Sequence, residues 1–177
     1  MKQIFLTLLL GTLLSQDSVA SSKASVDEVI KSSFTGVSTI DPKQIILTKK
    51  QFSQVQSRAK AAVRTKIYRY YDIKSTTKRL GYAVLIARKV RGKKATVLYA
   101  FDNAGTLKFT EIMAFGEPPE YIPNKTWMSQ LQDKDASATL TIGKDIPTIS
   151  GSTLSARSIT EGARVARAIY EIVLKSK

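Results

Sequence analysis

The chain contains no cysteine and no histidine. Without cysteine no disulfide can staple the fold, so its stability rests on a packed core alone. Without histidine the usual general base and the usual zinc ligand are both missing, and a Ser-His-Asp triad is excluded. Acidic residues are scarce: 14 Asp and Glu stand against 28 Lys and Arg in 177 residues, a net charge of +14. Such an excess favours acidic partners, anionic membrane surfaces or phosphate groups, and it also serves solubility.

Beyond residue 20 no apolar run reaches the roughly 20 residues that a membrane-spanning helix needs. The first 20 residues differ from the rest. Lys2 gives a positive start, Ile4 to Leu10 with Leu13 and Leu14 form a short apolar core, and Ser18-Val19-Ala20 ends in small residues. This is the layout of a cleaved secretory signal; the competing reading is an uncleaved N-terminal anchor. No Cys follows the apolar core, which excludes a lipid-modified N-terminus. Removing residues 1–20 takes away Lys2 and Asp17 and leaves the charge at +14. The expected organisation is a signal peptide over 1–20 and one domain over 21–177, exported to a periplasm or to the outer face of the cytoplasmic membrane.

The rest of the chain alternates clear helix and strand signals. Ser25-Val26-Asp27-Glu28 and Thr48-Lys49-Lys50-Gln51 both have the form of a capping box. The first predicts a helix with Val26, Val29, Ile30 and Phe34 on its apolar face, and the second a helix carrying Phe52, Val55 and Ala59. Gly36 and Pro42 bracket an expected loop, and Ile45 to Leu47 a short strand. Residues 66–73 favour a strand through their aromatics. Gly81 to Val90 predicts a strand interrupted by Arg88, and Lys94 to Phe101 another. Leu107 to Phe115 follows as a third, after the turn Asp102-Asn103-Ala104-Gly105. Strands joined by tight turns imply an antiparallel meander. Asn124 caps a short helix with Trp127 and Met128, and residues 137–142 suggest a further strand. Ser155 to Leu174 is the longest helix, with Ser158-Ile159-Thr160-Glu161 as a third capping-box match and Gly162 a weak point of about 1 kcal/mol. The fold class is α+β: an antiparallel meander sheet packed with helices, ending in a long C-terminal helix.

The stretch with chemical content is Ser150-Gly151-Ser152-Thr153-Leu154-Ser155. It is a small, hydroxyl-rich turn leading into that helix. Gly151 allows close backbone approach. The first N–H groups of a helix have no internal acceptors, and the macrodipole favours an anion there by about 0.3–1 kcal/mol. A phosphate fits that position, and so does an ordinary capping turn.

Ile149-Ser-Gly-Ser-Thr-Leu-Ser-Ala-Arg-Ser-Ile-Thr160 resembles the signature of the FMN-binding domain family. That family includes the flavin subunits of sodium-pumping NADH:quinone reductases and of Rnf-type complexes, and many small exported proteins. Its pattern runs Asp, two residues, Ser or Thr, Gly, Ala, Thr. Three further segments are similar to the family in the same order: Gly81-Tyr82-Ala83-Val84, Phe115-Gly116-Glu117-Pro118-Pro119, and Trp127 to Leu131 followed by Lys134. The resemblance spans roughly residues 25–175. It implies an FMN joined by a phosphoester to Thr153 through an exported flavin transferase. Ser150, Gly151, Ser152, Leu154 and Ser155 would lie around the phosphate, with Glu117 and Lys134 as more remote neighbours of the flavin. Pro147 stands where the pattern has Asp, and Ser152 where it has Ala.

Other constellations favour structural roles. Arg64 to Tyr71 interleaves bases with aromatics, as single-strand binders do; a strand with buried tyrosines explains it equally, and nucleic acid is not an expected partner behind a secretory signal. Glu117 and Glu120 are separated by prolines, which suits a loop brace better than a glycosidase pair. Asp133 and Asp135 lack calcium-loop spacing. The combined expectation is an exported FMN-carrying electron-transfer protein, an electron carrier rather than an enzyme with its own substrate. Its partners would be redox proteins, at or near the membrane surface. The alternatives are a flavin-dependent reductase of a soluble acceptor and a non-flavin binding or scaffold protein. The export signal predicts a mature N-terminus at Ser21 or a near neighbour. N-terminal sequencing of the native protein tests this, and a retained Met1 overturns cleavage in favour of the anchor.

Overall fold

The computed structural model describes residues 25–177; the expected signal over 1–20 lies outside the described residues. Five strands form one sheet in the order β1-β2-β3-β4-β5: Thr39–Ile46, Ile67–Lys74, Arg79–Lys89, Lys94–Asp102 and Leu107–Phe115. Every neighbouring pair is antiparallel, so the sheet is a meander. Four α-helices accompany it: α1 (Val26–Ser33), α2 (Lys49–Ala59), the short α3 (Lys125–Ser129) and the long α4 (Thr153–Ile169). The fold is α+β. No helix among the described residues is long and apolar enough to cross a membrane.

Local chemistry sets the helix starts. Ser25 and Glu28 form a reciprocal capping box at α1, and Thr48 and Gln51 form one at α2. The Asn124 carboxamide oxygen accepts the Trp127 N–H at 2.8 Å and opens α3. Strand alternation then sorts side chains onto two faces. Tyr68, Tyr70, Tyr82, Val84, Val97, Tyr99 and Phe101 belong to the main core beneath α2 and α4. Tyr71, Ile73, Ala83, Leu98, Ala100 and Phe109 form a second layer with Ile30 of α1.

Several expectations are corrected. Pro42 lies inside β1, paired with Tyr71, and not in a loop. β1 is an edge strand, where a residue without an N–H can stand without orphaning a ladder partner. Residues 137–142 form no strand but a turn, with Leu140 at φ 50°. The Asp145 carboxylate closes that turn, accepting the Leu140 and Thr141 N–H groups and the Thr139 hydroxyl at 2.7–2.8 Å. α4 begins at Thr153, so the Ser158–Glu161 motif is mid-helix and caps nothing. The Ser158 hydroxyl donates to the Lys89 carbonyl of β3 at 3.3 Å, and Glu161 pairs with Arg88. Arg88, which breaks the apolar pattern of β3, therefore faces the helix. Past Ile169 the helix widens into one π-type turn, Tyr170–Leu174.

Gly162 is not a weak point. A Cβ there would fall inside van der Waals distance of the Tyr99 hydroxyl and 3.1 Å from its Cζ. Tyr99 is buried, and its hydroxyl donates to the Ile159 carbonyl at 2.7 Å. Gly162→Ala adds about 1 kcal/mol of helix propensity but overpacks this contact, so we expect a net loss of about 1–3 kcal/mol. Urea unfolding measures it. Combined with Tyr99→Phe, the loss should be smaller than the sum of the two single changes, because the residues touch.

Candidate functional site

The N-terminus of α4 is built from a strained turn and an uncapped first turn of helix. Gly151 has φ +78°, and no heavy atom lies within 4 Å of where its Cβ would stand. A side chain would be excluded by backbone strain and not by crowding. Ser152 is the N-cap residue, yet its side chain makes no capping bond. The first backbone bond of the helix runs from the Ala156 N–H to the Ser152 carbonyl at 2.9 Å. Among the described residues nothing accepts the N–H groups of Thr153, Leu154 and Ser155. Three donors thus remain at the positive end of the macrodipole, where an anion gains about 0.3–1 kcal/mol.

Thr153 is exposed, at the first helical position. Its hydroxyl donates to the Ile149 carbonyl at 2.9 Å, which commits the hydrogen and leaves the oxygen lone pairs unshared. Ser155 is buried, while Leu154 is 43% exposed and offers an apolar surface at the same corner. The approach to the turn is anchored by Trp127, whose Nε1–H donates to the Pro147 carbonyl at 2.9 Å.

A cavity of about 230 Å3 opens against this turn. Six of the expected site residues line it: Gly151, Ser152, Thr153, Leu154, Ser155 and Glu117. The sheet supplies the opposite wall through Val90 and Arg91 of the β3–β4 turn, and Tyr121 completes it. The Arg91 guanidinium lies 5.2 Å from the centre of the Tyr121 ring, a cation–π distance. Arg91 makes no ion pair among the described residues. A second cavity, of about 370 Å3 and including Arg157, touches Thr153 from its other side.

Two of the expected residues are placed elsewhere. Ser150 is exposed and precedes the turn without lining the cavity. Lys134 is not a wall of it either: its carbonyl accepts the Leu107 N–H at 2.8 Å and Arg167 Nη2 at 3.2 Å. Arg167 lies near the opposite end of α4 from Thr153, about 20 Å along a helix rising 1.5 Å per residue. Arg91 and Tyr121 escaped the sequence reading. Arg91 was legible as a turn residue and Tyr121 as a neighbour of prolines, but their meeting at the helix end depends on how α4 docks.

Glu117 has a defined task. One carboxylate oxygen accepts three successive N–H groups of the β3–β4 turn, from Arg91, Gly92 and Lys93, at 2.9, 2.6 and 2.7 Å. These bonds, Lys93's foremost, hold its carboxyl below the usual glutamate range. The clamp fixes the turn that carries Arg91. No model of a known protein family matches the chain, and no curated protein matches it.

The clamp makes stability depend on pH in a definite direction. A carboxylate with a lowered folded pKa stabilises the fold above its unfolded pKa, and the contribution is lost as pH falls through the folded value. The amide resonances of Arg91, Gly92 and Lys93 should therefore titrate together, with a midpoint below that of an ordinary glutamate. Glu117→Gln should abolish that titration and speed hydrogen exchange at the three amides. An ordinary midpoint would remove the clamp.

Proposed function

We propose that the chain is an exported electron-transfer protein carrying one FMN at the N-terminus of α4, attached through a phosphoester to Thr153. The carrying observation is the exposed Thr153 hydroxyl at the first helical position, beside three N–H groups without acceptors and a cavity walled by Arg91 and Tyr121. The resemblance of Ile149 to Thr160 to the FMN-binding signature supports the same position.

The residues fit the group in three respects. The free N–H groups of Thr153, Leu154 and Ser155 suit phosphate oxygens. Arg91 adds a cation that makes no ion pair among the described residues. Leu154 and Tyr121 offer apolar and aromatic surface for a planar ring. Bound FMN supplies the redox chemistry, passing electrons singly or in pairs. The chain needs no acid–base dyad for that task. Esterification of Oγ1 removes the hydrogen that Ile149's carbonyl now accepts, at a cost of about 0.5–1.5 kcal/mol. Covalent attachment offsets a larger problem. A noncovalent ligand at nanomolar affinity, about −12 kcal/mol, is still lost where free FMN is scarcer than that.

Pro147 favours a second reading, in which the chain carries no covalent flavin, because the family pattern has Asp there. Flavin fluorescence on denaturing gels, after co-expression with a flavin transferase and export, separates the readings. Wild type should be labelled, and Thr153→Val, which keeps the branched shape without the oxygen, should not. Ser150→Ala and Ser155→Ala should keep the label with affinity reduced by at most about 0.5–1.5 kcal/mol. A labelled Thr153→Val places the bond elsewhere. An unlabelled wild type that Pro147→Asp does not restore overturns covalent attachment.

A further inference from the structure

At the other end of α4 lies a cavity of about 420 Å3, between the helix, the end of α2 and the 136–141 turn. That is many times the share of a single water, about 30 Å3. Five cationic side chains line it: Arg58, Lys60, Lys144, Arg164 and Arg167. No carboxylate does.

The nearby acids are already engaged. Glu171 is held by Arg58 through both oxygens, at 2.7 and 2.9 Å. Asp135 accepts the Ser137 hydroxyl and the Ser137 and Ala138 N–H groups. Asp145 closes the 139–141 turn. Arg164 and Arg167 form no ion pair among the described residues; their partners are carbonyls. Arg164 donates to Ala59 and Leu140, each at 2.9 Å, and Arg167 to Ala138 at 2.6 Å and Lys134 at 3.2 Å. Arg167 is only 4% exposed, and its Nε–H is buried with no acceptor among the described residues.

A buried guanidinium without a counter-ion is costly, and carbonyl dipoles replace a full negative charge only in part. Burial accordingly pulls both arginines below their ordinary pKa. Arginine forks and lysine point charges converging on one space are the donor set that phosphate-type oxyanions select. We propose that this cavity binds a phosphate-type oxyanion of two or more charges, either free or as a lipid head group, with Arg164 and Arg167 as its floor and Lys60 and Lys144 at its rim. The proposal is independent of the flavin reading, since the two cavities share no lining residue.

The test is an NMR titration of the purified protein with sodium pyrophosphate, against sodium chloride at equal ionic strength. Amides of Ser137 to Thr141 and the Nε–H signals of Arg164 and Arg167 should shift and saturate at one equivalent, with Kd below about 1 mM. Lys60 and Lys144 are exposed and make no side-chain hydrogen bond among the described residues, so Lys60→Gln/Lys144→Gln should keep the fold and weaken binding about tenfold. If only vesicles containing phosphatidic acid, and not pyrophosphate or phosphatidylcholine vesicles, move these signals, the source is a head group. Shifts confined to Gly151–Ser155, a response matched by chloride, or binding undiminished in the double variant would overturn the proposal.

Discussion

Tyr99 reaching through the gap left by Gly162 to the Ile159 carbonyl sets the seat of α4 on the sheet. A buried phenol without a partner costs about 1–3 kcal/mol, and among the described residues the group that meets this one is a helix carbonyl with a spare lone pair. The bond fixes where Ile159 and Gly162 of the helix lie over Tyr99 of β4. With that contact set, Glu161 points to Arg88 and Ser158 to Lys89. Both contacts draw the first turns of α4 towards the far end of β3. The β3–β4 turn is then carried to the helix N-terminus, and the cavity with Thr153 at its edge exists because of that meeting.

Several of the few acidic residues hold the fold together. Asp72, buried in the sheet, is surrounded by Lys43, Arg79 and Lys74 at 2.9, 2.8 and 3.5 Å. Burial alone would raise its pKa, but the hydrogen bonds and charges of Arg79 and Lys43 outweigh that and hold it below the ordinary aspartate value. Its contribution to stability is thus present at neutral pH and lost as pH falls through that lowered value. Glu117, Asp135 and Asp145 each tie down a turn by accepting backbone N–H groups. Between Asp41 and Asp72 there is no acidic residue and there are eight Lys or Arg. The β1–α2–β2 edge consequently carries much of the positive field.

In the two proposals above, the ends of α4 attract an anion by different physics. At the N-terminus the attraction comes from backbone donors left open by a turn that has no side-chain cap. Near the C-terminal half it comes from guanidinium groups whose carbonyl partners leave their charge uncompensated. A long helix with buried cations needs its packing to be paid for elsewhere, and the extensive apolar contact of Ile159, Ala163, Ala166, Ile169 and Val173 with the main core supplies that.

Helix caps, tight turns and strand alternation are short-range chemistry, and they were legible. Ser25 with Glu28, Thr48 with Gln51 and Asn124 with Trp127 are three residues apart, so the pattern that encodes the bond lies within one window of sequence. The meander of β3, β4 and β5 followed from the turn residues between them, while the long helix, expected from Ser155, begins two residues earlier at Thr153. Identical local patterns misled where a distant partner competed. Ser158 and Glu161 match a capping box but bond across 69 and 73 residues to Lys89 and Arg88. Asp145 lies two residues before the motif position held by Pro147, yet the turn behind it claimed its oxygens. Gly162 is a defect in an isolated helix and a requirement beneath Tyr99. The sequence by itself determined the fold class, the three hairpin-joined strands β3 to β5, the capped helices and the hydroxyl-rich turn. Which residues face that turn, Arg91 and Tyr121 and not Lys134, was decided only by tertiary packing, because side-chain partners scores of residues apart are chosen by how α4 seats on the sheet.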